Sequence, residues 1–526
     1  MRGALHLLLV LALVLVGCSP KQSTQSEAPD TFVFARGSDA HKLDPADIDD
    51  GESVNTVSQI FEGLVRFKSG TLQIEECLAD SYSISDDGLV YTFKIREGVS
   101  FHDGTPLDAA AAAYTFLRQM DEDHPGHFPE AAFSYWNYLY QDIDDIAVVD
   151  DMTLEIRLSR PNASMLYSLA IFPAYLVSPN SVQTYGSDMQ RQPVGTGPYR
   201  FAAWRPNEAI VLERYPDYWD EPAAFERMVF TVVPDNTTRL LQLKSGSAHG
   251  MDGLQPSEVQ ALQDDESITV YQESGLNVGY LAFNLETDRV SIPEVREAIS
   301  LAIDKQRFAT VALEGAGRAA RYPLPKGFLG YPENEDPFEH DPARARELLE
   351  PYANLFEGNP LEILVMNAPR PYLPDPVTAA TFLKGQLEAV GIPTKVTALD
   401  FKTQLDLLRN GDFEVGLIGW VGDNGDTDNF LSTFFASWAA EKGSATNYSF
   451  YRNDEMDALL QAGREETDTK RRAKIYEDAL KLWKRDLPIL PLCHGDNIVA
   501  LDARFSGFEL QKIGDLRLTD LRYEGE

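Results

Sequence analysis

The stretch LEILVMNAPRPYLPDPVTAATFLKGQLEAVGIPTKVTAL, residues 361–399, decides the fold class of this chain. Leu361 to Met366 predicts a strand, Val377 to Val390 predicts a helix closed by Gly391, and Ile392 to Leu399 predicts the next strand. This alternation of strand, loop, helix and strand is typical of α/β domains, in which crossover helices join parallel strands. We therefore expect an α/β protein.

Further along the chain, an acidic loop follows another predicted strand. Phe413 to Ile418 predicts a short buried strand, and the sequence GWVGDNGDTDNF at 419–430 then carries Asp423, Asp426 and Asp428 without any Lys or Arg. Loops at strand ends often face clefts, so this unneutralised loop indicates a ligand site. Its spacing does not fit an EF-hand, which needs alternating oxygen ligands, a central glycine and a final glutamate, so we expect no metal there.

The loop that follows Met366 has the opposite charge, because it contains Arg370. An arginine fork can grip a carboxylate through two hydrogen bonds, and a partly shielded aspartate can hold an ammonium group. Arg370 and Asp423 together would suit a zwitterion such as a short peptide. The alternative that both are ordinary solvated charges, or that they pair with each other, stays open on spacing alone.

Common enzyme signatures are missing from the sequence. It contains no His-Glu-x-x-His zinc pair, no Gly-x-Ser-x-Gly elbow and no Gly-Lys-Ser/Thr phosphate loop. His102 precedes Asp103, but one such pair in a turn is more often structural than catalytic. A hydrolase that works through paired carboxylates such as Asp423 and Asp426 remains an alternative.

Length and charge restrict the class of protein. A chain of 526 residues exceeds what one hydrophobic core usually supports, so we expect two or three domains. The formal net charge of −36 opposes binding to nucleic acid or to anionic lipid, because both require Lys and Arg at phosphates. A polyanionic partner is therefore not expected.

The first residues predict export and a lipid anchor. Arg2 precedes an apolar run from Ala4 to Val16, which is too short to span a membrane and ends in small residues. Leu15-Val16-Gly17-Cys18 resembles a bacterial lipoprotein box, in which the cysteine becomes the lipid-modified first residue. We therefore predict a signal peptide at 1–17, lipidation of Cys18, and a flexible tether at 18–30.

Two further local features carry predictions. Ser291-Ile292-Pro293-Glu294 predicts a capping box with proline at the first helical position, close to the start of a new domain. Cys77 and Cys493 lie far apart, and no Cys-x-x-Cys spacing occurs. Whether those two cysteines form a disulfide stays open.

Several segments together resemble the bacterial extracellular solute-binding proteins of the peptide and nickel transport family, family 5. The sequence DGLVYTFKIREGVSFHDG at 87–104 is similar to the central signature of the family, and GTGPY at 195–199 is similar to a second hallmark. The resemblance spans nearly the whole mature chain. Further segments are similar to the dipeptide-binding members of the family, namely Asn277 to Asn284, Glu314 to Gly317, Arg370-Pro371-Tyr372 and Gly419 to Phe430.

The resemblance implies a two-lobed periplasmic-binding-protein fold of type II, in the large peptide-binder subclass, with an extra α+β subdomain in the first lobe. It implies that lobe I comprises 31–57, 188–280 and 487–526, that the subdomain comprises 58–187, and that lobe II comprises 281–486. The two crossings between lobes, near Val278 to Asn284 and near Leu487 to Ile498, are then expected to form a hinge.

The resemblance also implies function. It implies a monomeric receptor outside the cytoplasmic membrane, not an enzyme and without a cofactor, which hands short peptides to an ABC permease and its ATPase subunits. Asp423 is expected to hold the α-ammonium of a dipeptide and Arg370 its carboxylate, with Trp420, Tyr372 and Gly422 completing the ligand-binding set. Relatives with this fold bind longer peptides, glutathione, haem, nickel complexes or oligosaccharides, so these ligands remain alternatives.

Overall fold

The computed structural model describes residues 29–333 and 338–525. The predicted signal peptide, Cys18 and nearly all of the predicted tether therefore lie outside the described residues. The strands of the described part are, in chain order, β1 (Thr31–Arg36), β2 (Val65–Phe67), β3 (Ile74–Glu76), β4 (Ala79–Ile84), β5 (Val90–Ile95), β6 (Ile143–Asp150), β7 (Thr153–Leu158), β8 (Tyr199–Arg205), β9 (Ala209–Arg214), β10 (Arg227–Val232), β11 (Gly250–Asp252), β12 (Ile268–Ser274), β13 (Asn277–Phe283), β14 (Gly317–Ala319), β15 (Leu361–Met366), β16 (Thr394–Leu399), β17 (Val415–Val421), β18 (Ile489–Asp502), β19 (Phe505–Ser506) and β20 (Arg522–Tyr523).

Helices connect these strands and cover the sheets. Most of them begin at an aspartate, asparagine or serine whose side chain accepts a hydrogen bond from the first turn, as expected of good N-caps. The helices are α1 (Gly51–Val57), α2 (Ala109–Met120), α3 (Ser134–Leu139), α4 (Met165–Ser168), α5 (Pro179–Tyr185), α6 (Asn236–Ser245), α7 (Pro256–Leu262), α8 (Pro293–Ala302), α9 (Lys305–Leu313), α10 (Pro342–Leu349), α11 (Pro376–Ala389), α12 (Phe401–Asn410), α13 (Thr427–Phe435), α14 (Asp454–Glu465) and α15 (Thr469–Asp486).

One mixed sheet runs through most of the described chain. Its strand order is β16-β15-β17-β13-β18-β11-β1-β10-β9-β8, with β12 and β14 each pairing with β18. β15 pairs in parallel with β16 and with β17, and α11 joins β15 to β16. The predicted α/β class and the predicted parallel crossover are both confirmed.

β18 is the strand that both halves of this sheet share. Its first part, from Ile489, pairs with β13 and β14, whereas its second part, from Asp496 to Asp502, pairs with β12 and β11. β12 leads into β13 through two residues, and the Asn277 side chain there bonds both the N–H and the C=O of Gly495, at 2.8 and 2.9 Å. The two chain crossings are thus tied side by side.

A separate sheet with the order β4-β5-β7-β6 forms a smaller unit with its own core. All of its strand pairs are antiparallel, and α2 packs against β6 and β7. The unit therefore has the α+β character expected of residues 58–187. The exact boundaries of the lobes and of this subdomain remain a prediction.

The start of α8, the two cysteines and the apolar character of the helices are three further local features. The predicted capping box is wrong, because Ile292 occupies the N-cap without a side-chain bond and the Ser291 hydroxyl donates to the Asp288 carbonyl. The predicted proline at the first helical position is confirmed, since α8 begins at Pro293. Cys77 and Cys493 are both free and buried. Within 29–333 and 338–525, no helix combines the length and apolar character needed to cross a bilayer.

Candidate functional site

The acidic loop lies where the sequence predicts it, between the end of β17 and the start of α13. Asp426 is the N-cap of α13, because its carboxylate accepts the backbone N–H of Asp428 at 2.8 Å. This capping suits the positive end of the helix dipole. The helix start fixes the end of the loop, and β17 fixes its beginning.

Two of the three aspartates in the loop are neutralised by arginines. Arg472 binds Asp426 through both terminal nitrogens, at 2.5 and 2.7 Å, and both side chains are buried. Arg464 binds Asp428 at 2.8 Å. Both arginines come from the α14–α15 hairpin. These two acids therefore hold the loop in shape and have arginine partners before any ligand arrives.

Asp423 has no such cation. Within the described part of the chain, no Lys or Arg lies within ion-pair distance of its carboxylate, which instead accepts the Asn429 amide at 3.1 Å and the Tyr135 hydroxyl at 3.5 Å. Loss of water raises the pKa of Asp423 to about 6, although hydrogen bonds from Asn429, Tyr135 and Tyr138 oppose that shift. A buried aspartate without an ion-pair partner is stabilised strongly by a cationic ligand group.

Asn429 connects several members of the predicted site. Its amide oxygen accepts the backbone N–H of Asp423 at 3.0 Å and the indole N–H of Trp420 at 3.4 Å. Its amide nitrogen donates to the Tyr138 hydroxyl at 3.1 Å as well as to Asp423. The structure therefore brings Asp423 and Trp420 together around a residue that sequence reasoning did not single out.

Glycines allow the close packing behind this network. The Gly422 N–H donates to the Leu276 carbonyl at 2.6 Å, and a Cβ on Gly422 would lie 2.5 Å from the Phe430 ring. A Cβ on Gly419 would lie 2.3 Å from the ring of Tyr372. Any larger residue at either position would displace the aromatic ring. Gly422 thus contributes by position, and Tyr372 packs behind β17, where it is buried.

Arg370 lies in a tight turn in which its N–H and C=O bond the C=O and N–H of Leu373, at 3.0 and 2.9 Å. Its guanidinium carbon stands 3.9 Å from the centroid of the Phe401 ring, a cation–π contact. Its Nε has no hydrogen-bond partner, and among the described residues no carboxylate pairs with it. Arg370 therefore keeps its capacity to bind an anion.

Arg370 and the neighbours of Asp423 border two different cavities. Arg370 lines a cavity of about 600 Å³ that also borders Asp252, Asp496 and Asp515. A second cavity, of about 260 Å³, is lined by Tyr138, Asn424 and Asn429, the neighbours of Asp423. Asp423 itself lines neither of these cavities, and within the described residues no hydrogen bond or ion pair joins Asp423 to Arg370.

Both faces of the smaller cavity come from distant parts of the chain. Tyr135 and Tyr138 belong to α3 of the smaller unit, whereas the acidic loop belongs to the main sheet. The Asn424 amide donates to the Ser168 hydroxyl at 3.0 Å across the same junction. The aromatic residues of α3 recur three positions apart in SYWNYL, which is the one sequence signal that could have pointed to them.

His102 has a structural position. Its N–H donates to the Gly195 carbonyl at 2.9 Å, and its ring Nε2 lies 2.8 Å from the Gly197 carbonyl, so the two signature segments touch each other. Burial lowers the pKa of His102 to about 4. The ring is neutral at physiological pH and clamps the turn at 195–199. In the part of the chain that the structure describes, no cluster of His, Cys, Asp and Glu could hold a metal ion.

The two halves of the main sheet are joined by adjacent crossing strands, and Asp423 and Arg370 each lack an ion-pair partner among the described residues. This arrangement is that of a two-lobed solute receptor. Residues 73–442 match the family described as bacterial extracellular solute-binding proteins, family 5. The chain belongs to this family, which is one of solute receptors and not of enzymes. The expected two-lobed fold is therefore confirmed.

Individual relatives cover nearly the whole chain. Heme-binding protein A of Haemophilus influenzae is 31% identical over 528 residues, covering 95% of each chain. The dipeptide-binding protein of Escherichia coli is 28% identical over 526 residues, covering 96% of each. The solved structure of HbpA2 from Haemophilus parasuis shares 30% identity and a TM-score of 0.87, covering 94% of this chain and 99% of that one.

Proposed function

We propose that this chain is the substrate receptor of an ABC importer and that it captures short peptides, with dipeptides as the preferred length. Asp423 holds the α-ammonium group and Arg370 holds the terminal carboxylate, while Trp420, Tyr372 and Gly422 shape the cleft. The observation that carries this proposal is the unpaired carboxylate of Asp423, because both neighbouring aspartates already have arginine partners.

The charges explain why a zwitterion is favoured. A buried charge without a partner costs several kcal/mol, so a ligand that supplies an ammonium group relieves Asp423. Arg370 offers a planar fork with free donors for the opposite end. A ligand held at both ends is selected by length, because an extra residue would displace one terminus from its partner.

Capture requires closure of the lobes. The crossings through β13 and β18 are proposed as the hinge, with lobe I at 31–57, 188–280 and 487–526, its subdomain at 58–187, and lobe II at 281–486. A ligand that contacts both lobes only when they are closed shifts the population to the closed form. The contacts of Tyr135 and Ser168 with the acidic loop support this, because they join the subdomain to lobe II.

The cellular setting follows from the same family and from the N-terminal residues. We propose export by the signal peptide at 1–17, lipidation of Cys18, and attachment of a monomeric receptor to the outer face of a membrane by the tether. An ABC permease with its ATPase subunits would receive the peptide. No cofactor is required, because the step is binding and transfer.

The affinity for Ala-Ala is expected to depend on pH in a bell-shaped way. Asp423 loses its charge as the pH falls through its pKa of about 6, so affinity should fall about tenfold per unit below that value. A peptide amine loses its charge above about pH 8, which gives the other limb. Tyr135 and Tyr138, which face Asp423, do not titrate in between, because burial raises their pKa values.

Calorimetric titration between pH 4.5 and 9 measures this profile. Equal affinity at pH 5 and pH 7 would contradict the assignment of the ammonium to Asp423. The same titration tests the proposed function directly, since a protein that binds no dipeptide at pH 7 is not a dipeptide receptor.

Haem is the second candidate ligand, because one relative is named for haem binding. Haem iron in proteins is usually held by His, Cys, Met or Tyr. In the described part of the chain, Tyr138 of the smaller cavity is the one residue of these four types that lines either of the two cavities described above. Native mass spectrometry of the protein as purified distinguishes a peptide from haem, glutathione, a nickel complex or an oligosaccharide by mass.

A further inference from the structure

The cavity of about 260 Å³ beside Asp423, here called the hydroxyl cavity, has a lining rich in Ser, Thr, Asn and Gln. Tyr138 and Asn429 belong both to its wall and to the network around Asp423. A ligand anchored by its ammonium at Asp423 therefore has its first side chain next to this cavity. The volume accommodates one amino-acid side chain.

The charged groups in the wall of the hydroxyl cavity are already paired. Asp142 accepts Arg160 at 2.7 Å and the Asn162 amide at 2.9 Å. Asp428 and Arg464, which both line the cavity, bind each other at 2.8 Å. The cavity therefore offers no unpaired cation to a ligand carboxylate and no unpaired carboxylate to a ligand cation.

The five serine and threonine hydroxyls of the wall each donate a hydrogen bond within the protein. A hydroxyl that donates its one proton still presents oxygen lone pairs, so it acts on a ligand as an acceptor. The five donations are Ser164 to the Asn162 amide oxygen at 2.7 Å, Ser168 to the Ser164 carbonyl at 3.4 Å, Ser432 to Asp428 at 2.6 Å, Thr433 to the Asn429 carbonyl at 2.7 Å and Thr446 to the Thr433 carbonyl at 3.4 Å.

We propose that the hydroxyl cavity receives the side chain of the first residue of the peptide and favours an uncharged side chain that donates hydrogen bonds, such as the amide of Gln or Asn. This inference rests on the proposed function. A carboxylate there meets these acceptor oxygens and no unpaired cation, and the Gln141 amide and the Trp438 indole offer it neutral donors only, so it recovers little of its lost hydration. An ammonium group meets acceptors but no unpaired carboxylate to offset its desolvation.

The test compares Gln-Ala with Glu-Ala by calorimetry at pH 7.5, because the two side chains have the same shape and differ in charge and donors. Gln-Ala is expected to bind at least about tenfold more tightly. Ala-Gln and Ala-Glu carry the same charges at the second position and correct for repulsion between Glu and the net charge of −36. The difference at the first position should exceed the difference at the second.

A matched pair of variants assigns the effect to the cavity. Thr433→Val removes one acceptor of the wall and should reduce the preference for Gln-Ala several-fold. Thr381→Val removes an equivalent hydroxyl, which bonds the carbonyl four residues earlier at 2.8 Å on the exposed side of α11, and should leave the preference unchanged.

Each outcome of this test has a definite meaning. Equal affinity for Gln-Ala and Glu-Ala after the positional correction, or an unchanged preference in Thr433→Val, overturns the subsite while Ala-Ala binding keeps the proposed function. If no dipeptide binds, Ala-Ala included, both the subsite and the proposed function are overturned.

Discussion

Replacing Asp423 with asparagine is expected to weaken the binding of Ala-Ala at pH 7.5 by at least about a hundredfold. Truncating one side of a buried, hydrogen-bonded charge pair costs about 2–5 kcal/mol or more, because the partner charge stays desolvated and unpaired. Asparagine keeps the shape of the side chain and its bond with Asn429 but removes the charge that the ammonium needs. Calorimetric titration measures the loss.

The same substitution should stabilise the protein without ligand. Burial raises the pKa of Asp423 from an ordinary value of 3.8 to about 6, so the ionised carboxylate destabilises the folded state at neutral pH. Asp423→Asn is therefore expected to raise the free energy of unfolding at pH 8 by about 3 kcal/mol. This difference in the free energy of unfolding between the variant and the wild type should shrink as the pH falls from 6 toward 4. The reason is that Asp423 of the wild-type protein then binds a proton, which stabilises the folded state.

Glu441→Gln is the matched control, because Glu441 is exposed and lies outside the site. It should change neither affinity nor stability appreciably. If Asp423→Asn binds Ala-Ala as tightly as the wild type does, Asp423 is not the ammonium partner.

Replacing Arg472 with methionine is expected to lower the free energy of unfolding by about 3–5 kcal/mol, the cost of leaving a buried ion without its partner. Arg472 binds Asp426 through two nitrogens and also donates to the Gly463 carbonyl at 2.6 Å and to the Tyr476 hydroxyl at 2.9 Å. Asp426 would remain buried and charged at the start of α13. Urea denaturation followed by circular dichroism measures the loss.

The adjacent residue supplies a control. Arg471→Met breaks the ion pair with Glu466, at 2.7 Å, which is largely exposed at its arginine, so it should lower the free energy of unfolding far less than Arg472→Met does. The double variant Asp426→Asn/Arg472→Met removes both charges and should recover part of the stability lost by Arg472→Met. A loss for Arg472→Met no larger than that for Arg471→Met would show that the buried pair does not stabilise the loop.

The parts of the fold that follow local patterns could be predicted from sequence. The period of the apolar residues and Gly391 gave the helix and the two strands between Leu361 and Leu399, which the structure contains as β15, α11 and β16. A local pattern also indicated a ligand site, because Asp423 lies in the loop directly after a predicted strand. Local patterns suffice wherever the physical cause lies within a few residues.

The remaining features depend on residues that are distant in sequence. Arg464 and Arg472 neutralise Asp428 and Asp426 only because α14 and α15 fold back on the acidic loop. Tyr135 reaches Asp423 from a position 288 residues earlier in the chain. No local pattern specifies such contacts, so the resemblance to the family, and not a local pattern, singled out Asp423 among the three aspartates.

Calorimetry with blocked dipeptides tests two-ended capture most directly. Ala-Ala, N-acetyl-Ala-Ala and Ala-Ala amide differ only in whether the ammonium or the carboxylate is present to meet Asp423 or Arg370. Ala-Ala should bind, and either block should weaken binding by at least about a hundredfold, the loss expected when one partner of a buried charge pair is removed. Equal affinity for the free and the blocked dipeptides would contradict capture by the two charged ends.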